Sequence, residues 1–532
     1  MITNLQSVSY SNRMKPVSKP SFKGAEAIAL PGLQALRFLN NSPAIGACFV
    51  DLASMVVPRT ALDTKQRGLD AGIETGARES VSTVNHAIVG EVGLAAGTAL
   101  ALGLNQKYKN DGIQANKIFV NGESIDLLSS VWKNSNSKTD FYKTLLSSMQ
   151  GLNKGEWKGL SEKCQNDVAE ALANKAIDKE TKTNLIQRIM SETGAEGQYK
   201  IEIPKSTKIS GGKISDSLDV LLSTMDSLGK SFAKKTGDEF EVLVKDLKNH
   251  RRNSALLGLA VSCAIGCSAQ PINAYLTKKR TGKDGFVGVE NRTADKSDKF
   301  KFLKVAASAA MGVFALGCID HKPSKILNKI QFTQRLPNMD QYKLLYGATI
   351  MSRFMSSRDG NELRESVIKD SLGFVNWLIL GGMVTKIAAR VMPGGKELIN
   401  SDLDKAASGG KLKYAWNWIT KANVKSYDEV LVGGAKEAIK SKIKNGEKVA
   451  FKELWKEADK VSKGKVGKLA AAQLIGYLYS GIVLGLGIAK LNIFVTNKVQ
   501  KDKKPAANKT SDAKFYAQKQ QSEKPIFAKI KD

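Results

Sequence analysis

Glu91 is the residue whose placement most suggests chemistry, because it interrupts the apolar stretch Val84–Leu104, VNHAIVGEVGLAAGTALALGL. A carboxylate inside a helix of hydrocarbon length is costly and ordinarily faces a counter-charge, an ion or water, so proton or ion handling is the chemistry it would support. His86 lies five positions earlier, about 140° around a helix, so the two do not share a face. Arg78, Lys304, Arg353 and Arg364 are the cations able to pair with Glu91. A carboxylate paired near a helix end is the simpler structural account. A second charged group, Glu79, Arg364, Glu365 and the run SSRDGNELRE, reads either as an ion-pair cluster at one membrane face or as a solvated helix start capped near Asp359 or Asn361.

Other chemistry is absent from the sequence. No phosphate loop, zinc-helix motif, nucleophile elbow or kinase signature occurs with its residues in order. ISGGKIS at 209–215 lacks the first glycine of a phosphate loop and reads as a turn. Cys48, Cys263, Cys267 and Cys318 stand in apolar stretches as small hydrophobes, and three histidines are too few for a histidine-rich metal centre. The chain therefore reads as a non-enzyme with no cofactor and no metal. Lys278, Lys279, Arg280 and Lys283, in a glycine-rich basic loop, suit the phosphates of anionic lipid. The same four residues serve equally as a cytoplasmic anchor for the preceding helix.

These residues must be positioned by long apolar helices. A bilayer core needs about 20 apolar residues in a helix. Residues 254–276 and 469–489 meet that length without a charge; 84–104 carries Glu91, and 371–389 reaches the length through Lys386. Residues 305–319 read as a packed or interfacial helix. Small residues recur at every fourth position: Gly93 and Gly97; Gly258, Ser262 and Gly266; Gly481 and Gly485. Such rows let helix backbones approach closely in lipid. Pro271 is expected to end its helix near Gln270.

The expected fold is predominantly α: a helical membrane protein with about four transmembrane helices and an inserted helix-rich α+β domain at 106–253. In that domain Asn121-Gly122 suggests a hairpin and YKIEI at 199–203 a half-buried strand. The remaining regions are a basic disordered tail at 1–40, helices ending in the first span at 41–105, a membrane region at 254–395, basic amphipathic helices at 396–468, the last span at 469–497 and a lysine-rich tail at 498–532. Net charge is +30, mean hydropathy is −0.23, and the basic residues are dispersed, which argues for an anionic bilayer as partner and against nucleic acid. The positive-inside rule places both termini in the cytoplasm, a bacterial inner membrane being favoured over an organellar one, and 106–253 on the opposite face.

Two short similarities, RESV at 78–81 and 364–367 and PINAYLTKK with KLNIFVTNK, have different offsets and do not define a duplication. The expected function is a membrane scaffold or anchor presenting 106–253 to a protein partner. A small-solute transporter or channel subunit is the alternative, and a soluble helical protein on anionic surfaces is the third.

Overall fold

The computed structural model describes residues 23–41, 43–153, 156–174, 179–193, 199–206, 209, 211–214, 216–289, 293–332, 338–400, 410–444 and 449–503. Of the tails expected at 1–40 and 498–532, residues 1–22 and 504–532 lie outside the described residues, while 23–40 belong to α1 and 498–503 to α21 rather than to disordered tails. The chain is predominantly helical. It begins with α1 (Lys23–Asn41) and α2 (Pro43–Val50), which widens through Asp51–Val56 into α3 (Val57–Arg67). Gly68, with φ of 92°, reverses the chain into α4 (Leu69–Lys107).

An inserted unit follows: α5 (Gly122–Lys133), α6 (Lys138–Ser147), β1 (Met149–Asn153), β2 (Glu156–Gly159), α7 (Glu162–Asn174), α8 (Lys179–Thr193), β3 (Tyr199–Ile203), β4 (Gly212–Ile214) and α9 (Leu218–Phe232). Its antiparallel sheet has the order β2-β1-β3-β4, with Met149 opposite Ile201 and Ile201 opposite Ile214. Phe141, Leu145, Leu221, Leu228, Phe232 and Leu243 share its core.

The hairpin expected at Asn121-Gly122 is a helix start instead. The Asn121 side chain accepts from the Ser124 amide at 2.9 Å, and the 3.6-residue apolar period of Ile125, Leu128 and Val131 overrides the turn signal. The Asn121 amide donates to Asp216 at 3.0 Å. Burial pushes the Asp216 carboxyl above its ordinary range, against the opposing pull of hydrogen bonds from Ser124 and Asn121 and the charge of Arg251. Asn121→Ala should lower the stability of this unit by about 1 kcal/mol, the usual cost of a lost N-cap. Faster amide exchange over the first turn of α5 is the measurement that checks it.

α10 (Gly237–Thr281) returns from the unit as one continuous helix. Pro271 does not end it. Residues 282–289 lead towards α11 (Asp298–Gly317), α12 (Pro323–Lys329) and α13 (Met339–Met355). α14 (Gly360–Val375) widens through Asn376–Leu380 into α15 (Gly381–Val391). A second, smaller inserted unit holds β5 (Ile399–Asn400), α16 (Lys411–Lys421), β6 (Asn423–Val424), α17 (Tyr427–Gly433), α18 (Glu437–Lys444) and α19 (Phe451–Glu457). α20 (Lys460–Ser480) widens through Gly481–Gly487 into α21 (Ile488–Lys503). The two units touch through α8 against α17 and α18, where Gln187 donates to the Val449 carbonyl at 3.1 Å.

Among the described residues, five helical stretches are long and apolar enough to cross a membrane: Leu69–Lys107, Gly237–Thr281, Asp298–Gly317, Gly360–Val391 and Lys460–Val499. The third is the helix expected to be packed or interfacial. Ser297 caps it eight residues before residue 305, which gives it spanning length. α13 runs antiparallel to α11, with Ser308 donating to the Met351 carbonyl and Lys304 to that of Ser357. The chain thus returns to the face it left, where the Asp295 amide donates to the Arg358 carbonyl at 2.8 Å.

The apolar helices are polar inside and greasy outside. On α10 the buried positions Ser254, Gly258, Ser262, Gly266, Gln270, Asn273 and Thr277 form one face, while Leu256, Leu257, Val261, Ile265, Ile272 and Leu276 are exposed. On α20 and α21 Gln473, Gly476, Ser480, Asn492 and Thr496 face inward, and Leu474, Leu478, Ile482, Leu491 and Phe494 face outward. In water such apolar faces are far larger than a soluble monomer carries. In hydrocarbon they are no penalty, and the polar atoms are the groups that require partners.

Candidate functional site

The inward polar faces converge at the end of the helices remote from the inserted units. α4 and α10 run antiparallel: Asn85 donates to the Ser262 carbonyl at 2.9 Å, and Asn273 donates to the Glu74 carbonyl at 2.7 Å. In the second half α14 and α21 run antiparallel in the same way, with Asn492 donating to the Glu365 carbonyl at 3.1 Å. The side chains of the two backbone-bonded glutamates cross between halves. Arg358 takes Glu74 with both terminal nitrogens, at 2.5 and 3.2 Å, and Arg67 takes Glu365 the same way, at 2.6 and 2.9 Å.

Each arginine precedes the glutamate of its own half by seven positions and binds the glutamate of the other. The equivalence extends along both helices at one constant offset: Arg67 with Arg358, Glu74 with Glu365, Arg78 with Lys369, Glu79 with Asp370, Asn85 with Asn376 and Gly90 with Gly381. On the returning helices Gly266, Asn273 and Thr277 correspond to Gly485, Asn492 and Thr496. The helix preceding each reversal also docks across. A Cβ on Gly266 would meet Thr349 of α13, and one on Gly485 would meet the Ser54 carbonyl ahead of α3. Phe286 marks the approximate symmetry axis, its ring centroid 5.8 Å from the Arg67 guanidinium and 5.9 Å from that of Arg358.

A deeper layer lies beneath this double pair. Glu79 is 2 % exposed and has four cations around its carboxylate: Lys369 at 3.2 Å, Arg353 at 3.3 Å, Arg78 at 3.4 Å and Arg59 at 3.7 Å. Arg353 also binds Asp370 at 2.9 Å. Arg59 donates from Nε to the Leu484 carbonyl at 3.1 Å. Asp51 accepts from Thr83 at 2.5 Å. Deeper still, the His86 ring is enclosed by Tyr342, Tyr346 and Trp377, with centroids 5.3 to 5.6 Å away. A cavity lies between the halves beside the charged layers, lined by Arg59, Arg67, Arg78, Lys369, Glu74 and Glu365 among others and covered by Phe286, Val287 and Gly288.

The structure places Glu91 on the exposed face of α4, away from this cavity. Three of the cations considered for it serve the charged layers instead: Arg78 and Arg353 bind Glu79, and Arg364 donates to Thr496 at 3.2 Å. Glu91→Gln should therefore leave any activity of the cavity within about twofold of the parent, as surface substitutions do; a measurement beside Glu79→Gln checks it. The expected cluster around Glu79, Arg364 and Glu365 is real in part, since Glu79 and Glu365 carry it while Asp359 caps α14 by accepting from the Asn361 and Glu362 amides. Lys278, Lys279, Arg280 and Lys283 are exposed at the end of α10, where Arg280 binds Asp70 at 3.2 Å.

The small residues lie at helix crossings. A Cβ on Gly258 would stand 2.7 Å from the Gly93 Cα, and one on Gly481 3.4 Å from Ser54. Gly97 faces Ser254 at 3.7 Å, and the Ser262 carbonyl holds Asn85. Arg59, Arg67, Lys369 and Asp370 are site residues that the sequence does not single out, while Arg78 and Arg353 were expected to pair with Glu91 and Arg358 lies in the charged run 356–365. The repeated seven-residue arginine–glutamate spacing, followed by asparagine and glycine five apart, is the signal that marks them. Comparison with known proteins found no matching family model, no similar curated protein and no similar solved structure.

Proposed function

We propose that this chain is a non-enzymatic integral membrane transporter whose solute passes between two equivalent halves. The observation that carries the reading is the crossed pair Arg67–Glu365 and Arg358–Glu74 beside a polar cavity at the junction of the halves. Parallel repeats related by an axis along the membrane normal are a recurring transporter architecture, with the binding site at the repeat interface. Phe286 and Arg67 line the cavity, and Arg358 also stands against the Phe286 ring. Crossed ion pairs of this kind can be exchanged as one half rocks against the other, because each arginine leaves only one carboxylate partner in the opposite half.

The basic loop with Lys278, Lys279, Arg280 and Lys283 belongs to the cytoplasmic face under the positive-inside rule, against anionic lipid. Both inserted units then lie on the opposite face of a bacterial inner membrane. A scaffold is the second reading, favoured by the contact between the two units at Gln187 and Val449.

Thiol labelling distinguishes these readings without a known solute. In a background lacking the five native cysteines, Ser366→Cys places a thiol in the cavity wall. A membrane-impermeant reagent should reach it from either face of oriented vesicles, with Arg67→Gln shifting the ratio. Labelling from one face only, unchanged by Arg67→Gln, leaves the scaffold.

A further inference from the structure

We infer that the cavity binds an oxyanion, a carboxylate or phosphate group, held by Arg59 and Arg78; this rests on the transporter reading and names the solute class it implies. The acids of the cavity wall are already served. Glu74 and Glu365 each accept two bonds from an arginine, and Asp63 accepts from Thr75 at 2.6 Å. The cations are served less well, Arg78 Nε standing 3.4 Å and Arg59 3.7 Å from the Glu79 carboxylate. Arg59 is 1 % exposed, yet neither of its terminal nitrogens has a hydrogen-bond partner, and Nε of Arg78, 7 % exposed, has none.

Charge in the wall is balanced, Arg59, Arg67, Arg78 and Lys369 against Asp63, Glu74, Glu362 and Glu365, and it is the unused guanidinium donors that ask for a ligand. A buried guanidinium with unused donors is costly unless paired. Its planar fork matches the two oxygens of a carboxylate or phosphate better than it matches a halide. Ser366, a hydroxyl in the same wall, adds a neutral donor.

A free anion and a lipid headgroup would present the same oxygens, and the experiment separates them. The full chain is purified in a mild detergent, stripped of lipid and unfolded thermally in phosphate, sulfate, acetate or chloride at equal ionic strength. At least one oxyanion should raise the midpoint saturably while chloride does not, and Arg59→Gln and Arg78→Gln should each weaken that response at least tenfold. Arg59→Lys and Arg78→Lys, which keep the charge and lose the fork, guard against misfolding and should retain part of it. Mass spectrometry of bound lipid before stripping supplies the second arm: phosphatidylglycerol retained by the parent and lost in both glutamine variants assigns the site to a headgroup. No oxyanion response together with lipid retention unaffected by either arginine overturns the inference. Oxyanion binding that depends on both arginines, with Ser366→Cys labelled from one face only, leaves the site standing and removes transport.

Discussion

Glu79→Ala should leave little monodisperse protein in detergent, and what survives should melt far below the parent. Removing one partner of a buried ion pair costs about 3–5 kcal/mol, because the remaining charge stays in a medium that cannot solvate it. Here four cations, Arg59, Arg78, Arg353 and Lys369, lose their shared carboxylate at once. Among the described residues only Arg353 keeps a second acid, Asp370, at 2.9 Å. Glu79→Gln should be milder, since an amide oxygen still accepts from Arg353. Combining Glu79→Gln with Lys369→Gln should recover part of the loss, because one unmatched charge leaves with its partner. A double mutant as unstable as the sum of its parts would show that Lys369 and Glu79 are not coupled. Thermal unfolding followed by size-exclusion chromatography reads all three variants.

Gly485→Ala should be strongly destabilising. Its Cβ would stand 2.2 Å from the Ser54 carbonyl oxygen and 3.3 Å from Pro58, and neither backbone nor proline ring can swing aside. Overpacking of this kind costs about 1–3 kcal/mol. The pseudo-equivalent Gly266→Ala meets side-chain atoms instead, Thr349 Oγ1 at 2.6 Å and Asn85 Nδ2 at 2.8 Å. Rotation of either relieves the clash, so the loss there should be smaller. Gly464, on α20 with nothing within 4 Å, is the control. Alanine there should stabilise by about 0.5–1 kcal/mol through helix propensity alone. Equal effects at 485 and 266 would mean that the α3 junction yields as readily as a side chain.

The apolar helices were legible because an uncharged run of bilayer length has few other readings, as α10 and the α20–α21 pair illustrate. The small residues at their crossings were legible for the same reason, a four-residue period on a helix. The charged site was hidden by its composition. Arg59, Arg67, Arg78, Arg358 and Lys369 lie near helix starts rich in acids and lysines, and in one dimension such stretches cannot be told from a solvated face. Glu91, isolated within a greasy run, drew attention instead, although its position on the outer face keeps it from the cavity.

The register shared by the two halves was obscured by a better-looking match, although PINAYLTKK with KLNIFVTNK already sets Asn273 against Asn492 and Thr277 against Thr496. RESV at 78 and at 364 aligns four identical letters but sets Arg78 against Arg364, five positions from the register in which Arg67 answers Arg358. That true register preserves charge more than identity, as Arg78 with Lys369 and Glu79 with Asp370 show. Asn121-Gly122 failed for another reason. The pair that opens a tight hairpin is also a good cap and first residue of a helix, and the apolar spacing that follows decides between them.

The crossed pairing bears on how the chain is made. Arg67 and Glu365 are 298 residues apart. At a synthesis rate of about 5–20 residues per second, roughly 15–60 s pass between the emergence of the arginine and of the carboxylate that neutralises it. Over that interval the first half must reside in or beside the insertion machinery with a charged, half-built seam. Each half supplies a counter-ion to the other, beside the local partners Asp63 of Arg67 and Glu362 of Arg358. The seam between the halves closes only once α14 and α21 have been made.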